Sequence, residues 1–259
     1  MQGVSGIGTG FLAQLFPAAV LPASASGGSL IPLRPPTIPA ERVLVTTAHD
    51  RMDCVLDKFN VPHRPVIDRL RISDAALAGA SYLFVGCGQK LSDRSPARIA
   101  EWVRSGGCLM TSDWMSFHLL DAFVDDGGRP IVSRQPVITE ESSLVEITKT
   151  VPFDPTLNVL SDTLYPGFWK VSNCSYPMGA IDKSRVTVLA SASDLGRKFG
   201  EAGAALFLRF PYGLGQVVHV LSHWSEQHFE TPPPDHSPTD RPPHSRTMIF
   251  DVVPNPLKC

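Results

Sequence analysis

Several signals are missing from this chain, and each absence narrows what it can be. Among 259 residues, Lys and Arg number 23 against 25 Asp and Glu, and the formal net charge is −2. With a pI near 6.4, no basic stripe is available to neutralise phosphates, so no nucleic-acid partner is expected. No run of apolar residues is long enough to cross a bilayer, so no membrane partner is expected either. The five cysteines, Cys54, Cys87, Cys108, Cys174 and Cys259, are odd in number and form no CxxC pair. A disulfide framework is thereby disfavoured, and a reducing, cytoplasmic compartment is the expectation. HxH and HExxH spacings are also lacking, so neither a metal nor a cofactor is expected from short-range motifs. The chain contains no internal repeat.

Charge is nearly absent from the first forty residues, where Arg34 stands alone. An apolar run from Gly10 to Leu21 followed by Ala23-Ser24-Ala25 imitates a signal-peptidase site, but Pro17 interrupts it and no basic residue precedes it. Secretion through a weak N-terminal signal is the alternative to a cytoplasmic location. Of 24 prolines, 14 lie before Glu41 or after Glu230. The reading is therefore a disordered or leader segment over 1–40, a globular domain over 41–230, and a Pro-rich tail over 231–259.

What is present points to an α/β fold. Arg42 to Ala48 is a short β-branched run fit for a buried strand. Asp50 is placed to cap a helix running to Asn60, with Met52, Val55, Leu56 and Phe59 on one face. Val61 to Ile67, broken by Pro62 and Pro65, can only be an edge strand or an extended connection. Ser73 caps a short helix over 74–79. Tyr82 to Val85 is the next strand, closed by Gly86-Cys87-Gly88. A helix starting near Asp93 and Pro96 buries Ile99, Trp102 and Val103 and stops at Gly106-Gly107, where a left-handed residue is needed. Cys108 to Thr111 is a further strand, followed by an elbow at Ser112-Asp113-Trp114 and another helix.

Strands alternating with helices predict a flavodoxin-like, doubly wound, mostly parallel sheet. After Val124 the pattern changes. An irregular insertion is expected over about 127–185, with one alternating antiparallel strand near Leu144 to Thr148. Regular strands return at Arg185 to Ala190, then at Ala204 to Phe210 and Gln216 to Leu221. The last two form a C-terminal β-hairpin turning through Tyr212-Gly213-Leu214-Gly215.

In such a sheet, functional groups collect in the loops at the carboxyl ends of the parallel strands. Four polar loops qualify: His49-Asp50, Cys87-Gly88-Gln89, Ser112-Asp113-Trp114, and His223 to Gln227. A thiol beside an imidazole can serve as nucleophile, which pairs Cys87 with His49, and Gly86 and Gly88 would let backbone N–H groups approach a substrate oxygen. The competing reading makes Cys87 a small buried residue. Asp113 stands where a nucleophile elbow would lie, but Ser112 or Asp113 also suits the N-cap of the following helix. His223 ends the last strand with Glu226 and Gln227 within one turn, as an oriented general base would. His219 is read as packing.

The strand Tyr82 to Val85, the passage Ala100-Glu101-Trp102-Val103-Arg104-Ser105-Gly106-Gly107-Cys108-Leu109-Met110, and the ending Tyr212 to His223 together resemble the class I glutamine amidotransferase-like superfamily, in particular its ThuA-like members. The resemblance spans 42–227. It implies a catalytic histidine at His223, a glutamate two positions on, and a nucleophilic cysteine at the elbow. Here Ser225 occupies the glutamate's place, Glu226 follows one position later, and the elbow carries Ser112-Asp113-Trp114. Hydrolysis of glutamine through a cysteine thioester is therefore not expected. The expected function is small-molecule binding or an accessory role without glutaminase chemistry, with His223, Asp113 and Cys87 as candidate catalytic groups. His49, Asp50, Gly86, Gly88, Gln89, Trp114 and Glu226 are the candidate ligand-binding positions. The alternative is a hydrolase using Cys87 with His49, or Asp113 with His223.

Overall fold

A computed structural model describes residues 39–66, 72–139, 142–149, 151, 154 and 167–227. The leader over 1–40 apart from its last two residues, most of the insertion's centre, and the tail over 231–259 lie outside the described residues.

The sheet grows from short runs that are apolar on both faces. Strands β1 (Val43–Val45), β2 (Arg64–Pro65), β3 (Tyr82–Val85) and β4 (Cys108–Ser112) are joined by helices α1 (Met52–Lys58), α2 (Asp74–Leu77) and α3 (Ser95–Arg104). Helix α4 (Met115–His118) follows the elbow. The insertion supplies β5 (Val132–Arg134), β6 (Ser143–Glu146), β7 (Thr148–Lys149), β8 (Phe168–Val171) and β9 (Met178–Ala180). Then come β10 (Thr187–Ser191), α5 (Ser193–Phe199), β11 (Ala205–Tyr212) and β12 (Gly215–Val220).

The main sheet runs β2-β1-β3-β4-β12-β11-β10-β7. Its first five strands are parallel, in the order expected of a flavodoxin-like fold. Beyond β12 the sheet continues antiparallel through β11, β10 and β7. Strands β6 and β8 form a separate antiparallel pair. The fold is α/β with a mostly parallel core, and the hairpin β11–β12 turns as the glycines required, Gly213 having φ +60°.

Alternation along each parallel strand sorts side chains onto the two faces. Val43, Val45, Phe84, Met110, Val218 and Val220 share one core with Met52, Val55 and Leu56 of α1. Leu44, Leu83, Val85, Leu109 and Val217 share the other with Ile99 and Val103 of α3 and Met115 of α4. Helices thus cover both faces, which is why these strands read as unbroken apolar runs. Helix α3 ends where expected, with Gly106 at φ +115°, and Gly107 lies under the Trp102 ring, where a Cβ would be 2.4 Å from the indole.

Three local expectations change. The helix expected from Asp50 starts only at Met52, because the Asp50 carboxylate accepts the N–H groups of Trp224 and Ser225 instead of capping α1. Neither Ser112 nor Asp113 caps α4: its N-cap is Trp114, with no side-chain cap bond. Ser112 Oγ instead accepts the Cys87 N–H at 3.0 Å. Helix α5, between β10 and β11, has no counterpart in the expectation of successive strands there.

Candidate functional site

Parallel register decides where the loops go. Val45 pairs with Phe84, Val85 with Thr111, and Ser112 with Val220. The segments after β1, β3, β4 and β12 therefore leave the sheet on one rim, as a pocket there requires.

Hydrogen bonds lock these exits together. Gly86 N–H donates to Thr46 Oγ1 at 3.1 Å and Asp50 N–H to the Cys87 carbonyl at 3.2 Å. Asp113 N–H reaches the Val220 carbonyl at 3.0 Å. Gly86 and Gly88 let the β3 loop lie against the β1 loop: a Cβ on Gly86 would be 2.7 Å from the Asp50 carbonyl oxygen, and one on Gly88 2.7 Å from His49 Cβ. The β1 and β3 loops meet as the topology predicted.

At the centre sits Asp113, 1% exposed, with φ +44°. A non-glycine residue in that region is uncommon and marks a sharp strand-to-helix elbow. Freed from capping, its carboxylate turns into the rim. The Cys87 thiol donates to Asp113 Oδ2 at 3.5 Å, and His223 Nε2 lies 3.5 Å from the same oxygen. The thiol's bond is thus to the elbow carboxylate. His49 is exposed, and its ring meets His223 edge-on with centroids 4.9 Å apart.

The other side of His223 is equally defined. Its Nδ1 lies 3.0 Å from Glu226 Oε1, which the short 3-10 turn Ser225–Gln227 brings back to the ring. Lys170 of β8 and Ser172, the residue after the strand, complete this side. Ser172 Oγ donates to Glu226 Oε2 at 3.2 Å, and Lys170 Nζ is 3.4 Å from that oxygen. Ser222, at φ +66°, donates to Ser172 Oγ at 2.9 Å. Nothing in the spacing of the sequence announced Ser172 or Lys170, because they approach from a strand some fifty residues upstream.

The remaining expected positions have other partners. Asp50 is fully buried and holds the β12 exit through Trp224 N–H at 3.1 Å and Ser225 N–H at 2.9 Å. The buried Gln89 turns its amide to the Lys90 carbonyl at 2.8 Å. Trp114 is half-buried and donates its indole N–H to the Cys174 carbonyl at 2.8 Å. His219 is buried within β12 and bonds Thr111 Oγ1 through Nδ1 at 2.8 Å.

Burial and mutual charge set the protonation of the cluster. Burial pushes the Asp113 carboxyl up to about 6, with the His223 charge opposing. Burial works against a charged His223, but the neighbouring Cys87 sulfur, the bond to Glu226 and the Asp113 charge outweigh it and hold the imidazole well above its ordinary range. Burial opposes a charged Glu226 too, yet its bond to His223 and the nearby cations bring it down to about 2. Burial raises the Cys87 thiol. His49 is lowered by burial and by the His223 charge. Near neutral pH the arrangement is an imidazolium between two carboxyl groups, with a protonated thiol beside it.

No protein-family model and no curated protein matches the chain. Among solved structures, similarity extends to a protein described as ThuA-like from Bacteroides uniformis, at 10% identity and a TM-score of 0.49, covering 80% of this chain and 89% of that one. The cytoplasmic protein STM3548 from Salmonella typhimurium is similar at 11% identity and a TM-score of 0.43, covering 70% and 87%. The β-galactosidase from Rahnella sp. R3 gives 13% identity and 0.45, covering 76% of this chain and 31% of that enzyme. The chain thus spans about a third of the length of that β-galactosidase. Likeness at this level carries no argument about activity. Among the described residues, no helix is long and apolar enough to cross a membrane.

Proposed function

We propose that residues 41–230 form a divergent class I glutamine amidotransferase-like domain, of the ThuA-like kind, that binds a polar small molecule at the rim and lacks glutaminase activity. One observation carries this reading: the elbow holds the Asp113 carboxylate, and the thiol beside it donates a hydrogen bond to that carboxylate. A thioester mechanism needs a thiolate at the elbow with a histidine free to accept its proton. Here the elbow sulfur is absent, and His223 is held protonated between Glu226 and Asp113. Charged and polar groups converging on one rim suit recognition of a polar ligand. A cytoplasmic location is part of the proposal, supported by the free thiols of Cys54, Cys87 and Cys108.

The test has two arms. Purified protein incubated with glutamine should release no ammonia above the rate of an Asp113→Ala variant. A thermal-shift screen of polar metabolites should find a ligand whose stabilisation is lost in Asp113→Ala and Glu226→Gln. Ammonia release that depends on Cys87 would overturn the reading.

The strained elbow favours one second reading. Asp113 at φ +44° with His223 Nε2 at 3.5 Å has the placement of a hydrolytic carboxylate and its partner. Turnover of an ester or amide substrate abolished by both Asp113→Asn and His223→Ala would establish it in place of plain binding.

A further inference from the structure

We infer that Cys87, Asp113 and His223 form a binding site for a divalent zinc-type cation. The inference rests on reading the rim as a ligand site, although the cation and the small molecule are separate occupants.

Three ligand atoms of different chemistry converge there. The Cys87 sulfur, an Asp113 carboxylate oxygen and a His223 ring nitrogen all lie within 4.8 Å of one another. Two of the three separations match a tetrahedral ion. Zinc bonds of about 2.3 Å to sulfur and about 2.0–2.2 Å to nitrogen and oxygen place neighbouring ligand atoms about 3.4–3.6 Å apart. The observed separations are 3.5 Å from Cys87 Sγ to Asp113 Oδ2 and 3.5 Å from His223 Nε2 to the same oxygen. Thiolate with imidazole and one carboxylate selects zinc or a similar borderline ion over magnesium or calcium.

A second observation points the same way. The His223 side chain is 8% exposed, and its Nε2 makes no hydrogen bond of good geometry even though it is buried. Its contact with Asp113 Oδ2 at 3.5 Å is a charge contact and not a directed hydrogen bond, which leaves the buried Nε2 under-satisfied. Meanwhile Nδ1 is committed to Glu226 at 3.0 Å, and Glu226 is itself held by Ser172 and Lys170. A carboxylate fixing one ring nitrogen so that the other faces a metal is the usual support of a histidine ligand. Another grouping, His49 with His223 and Glu226, also brings ligand atoms within 4.8 Å. It would turn the Glu226 carboxylate from support of the His223 ring into a ligand beside it, so the elbow set, which keeps that support, is preferred. With three protein ligands, the fourth position is left for water or a ligand, as in catalytic rather than structural zinc sites. Binding displaces two protons to solvent, one from the Cys87 thiol and one from Nε2 of the His223 imidazolium, whose Nδ1 proton stays bonded to Glu226.

Cobalt(II) is the probe, because it takes zinc's geometry and reports thiolate ligation by its absorbance. Chelator-treated full-length protein should bind one equivalent, with a near-ultraviolet sulfur-to-metal band and visible bands of tetrahedral intensity, all displaced by zinc. Cys87→Ser should abolish the sulfur band, and Glu226→Gln should weaken affinity about 10–100-fold. His49→Ala should leave the spectrum intact. Circular dichroism confirms that each variant is folded; should Cys87→Ser not fold, Asp113→Asn with an altered visible spectrum serves instead. Absence of stoichiometric binding, a sulfur band that survives Cys87→Ser, or a spectrum lost with His49→Ala overturns the site. A small molecule that still stabilises the metal-free protein would leave the binding function standing when the metal site fails, and the converse result would separate them the other way.

Discussion

Asp50 accepts a hydrogen bond from the Ser225 backbone N–H at 2.9 Å, joining the exit of the first strand to the exit of the last. The same carboxylate takes the Trp224 N–H at 3.1 Å and is fully buried. The pair therefore sets the position of His223 and Glu226 relative to the β1 loop. Hydrogen bonds to a charged acceptor contribute about 1.5–3 kcal/mol each, and Asp50→Ala strands two buried N–H groups. We predict that Asp50→Ala lowers stability by roughly 3 kcal/mol, measured by urea unfolding, while Asp50→Asn, which keeps one acceptor oxygen, loses less. Equal stability of Asp50→Ala and the parent chain would show that the carboxylate does not hold the rim.

A second prediction concerns the hairpin. Gly215 begins β12 against the end of α3, and a methyl group there would sit 2.2 Å from both the Gly107 and the Val103 carbonyl oxygens. These are backbone atoms and cannot swing aside. Gly215→Ala should cost roughly 3 kcal/mol, in the upper range of overpacking effects. For a domain of this size that corresponds to a Tm lowered by roughly 6–12 °C in calorimetry. Gly128→Ala, at φ +75° but with nothing within 4 Å of the added carbon, isolates the cost of backbone strain alone and should be milder.

The parallel half of the sheet was legible because its strands are buried on both faces, so Val43–Val45, Tyr82–Val85 and Cys108–Ser112 stand out as short apolar runs ended by polar elbows. That pattern also gave the rim, and with it the neighbourhood of Asp113, His223 and Glu226. Side-chain allegiance was not legible. Asp50 and Asp113 each follow a strand and precede a helix, where capping is the local preference. Each instead serves a partner more than 25 residues away, Asp50 at Trp224 and Ser225 and Asp113 at Cys87. Local propensity cannot see such partners. The insertion hid Lys170 and Ser172 for the same reason, since β8 is fixed by pairing with β6 and by the Trp169 indole bonding the Leu221 carbonyl at 2.7 Å.

Cys87 should be a slow thiol. Burial raises it, outweighing the lowering by the neighbouring His223, the Asp113 charge adds to the rise, and only 5% of the residue is exposed. Cys54 and Cys174 are half-buried. In chelator-treated protein near neutral pH, iodoacetamide should label both about tenfold faster than Cys87, read by peptide mass mapping. Asp113→Asn removes the neighbouring negative charge and should speed labelling at Cys87. Labelling of Cys87 as fast as Cys54 in the unaltered chain would point to an activated thiolate and revive a nucleophilic role.

The last prediction lies beneath the rim, at the contact between β4 and β12. His219 pairs with Thr111 in register and bonds its hydroxyl at 2.8 Å, while complete burial pushes the imidazole from 6.5 down to about 3. In the unfolded chain this histidine takes up a proton below about pH 6.5, whereas in the folded chain it stays neutral until about pH 3. Across that window the unfolded state binds more protons, so the contribution of His219 to stability falls as pH falls. The slope is about 1.4 kcal/mol per pH unit. Asp113 opposes it: with a folded value of about 6, it stabilises the fold as pH drops from that point toward its ordinary carboxylate range. A direct pH profile would mix the two. The comparison that separates them sets the parent chain against a Thr111→Val, His219→Leu double variant, which strands no hydroxyl and keeps Asp113 unchanged. Urea unfolding between pH 6 and pH 4.5 should show the variant gaining on the parent by about 1.4 kcal/mol per unit of acidification. A stability difference that stays constant with pH would mean that His219 takes up its proton without leaving the sheet.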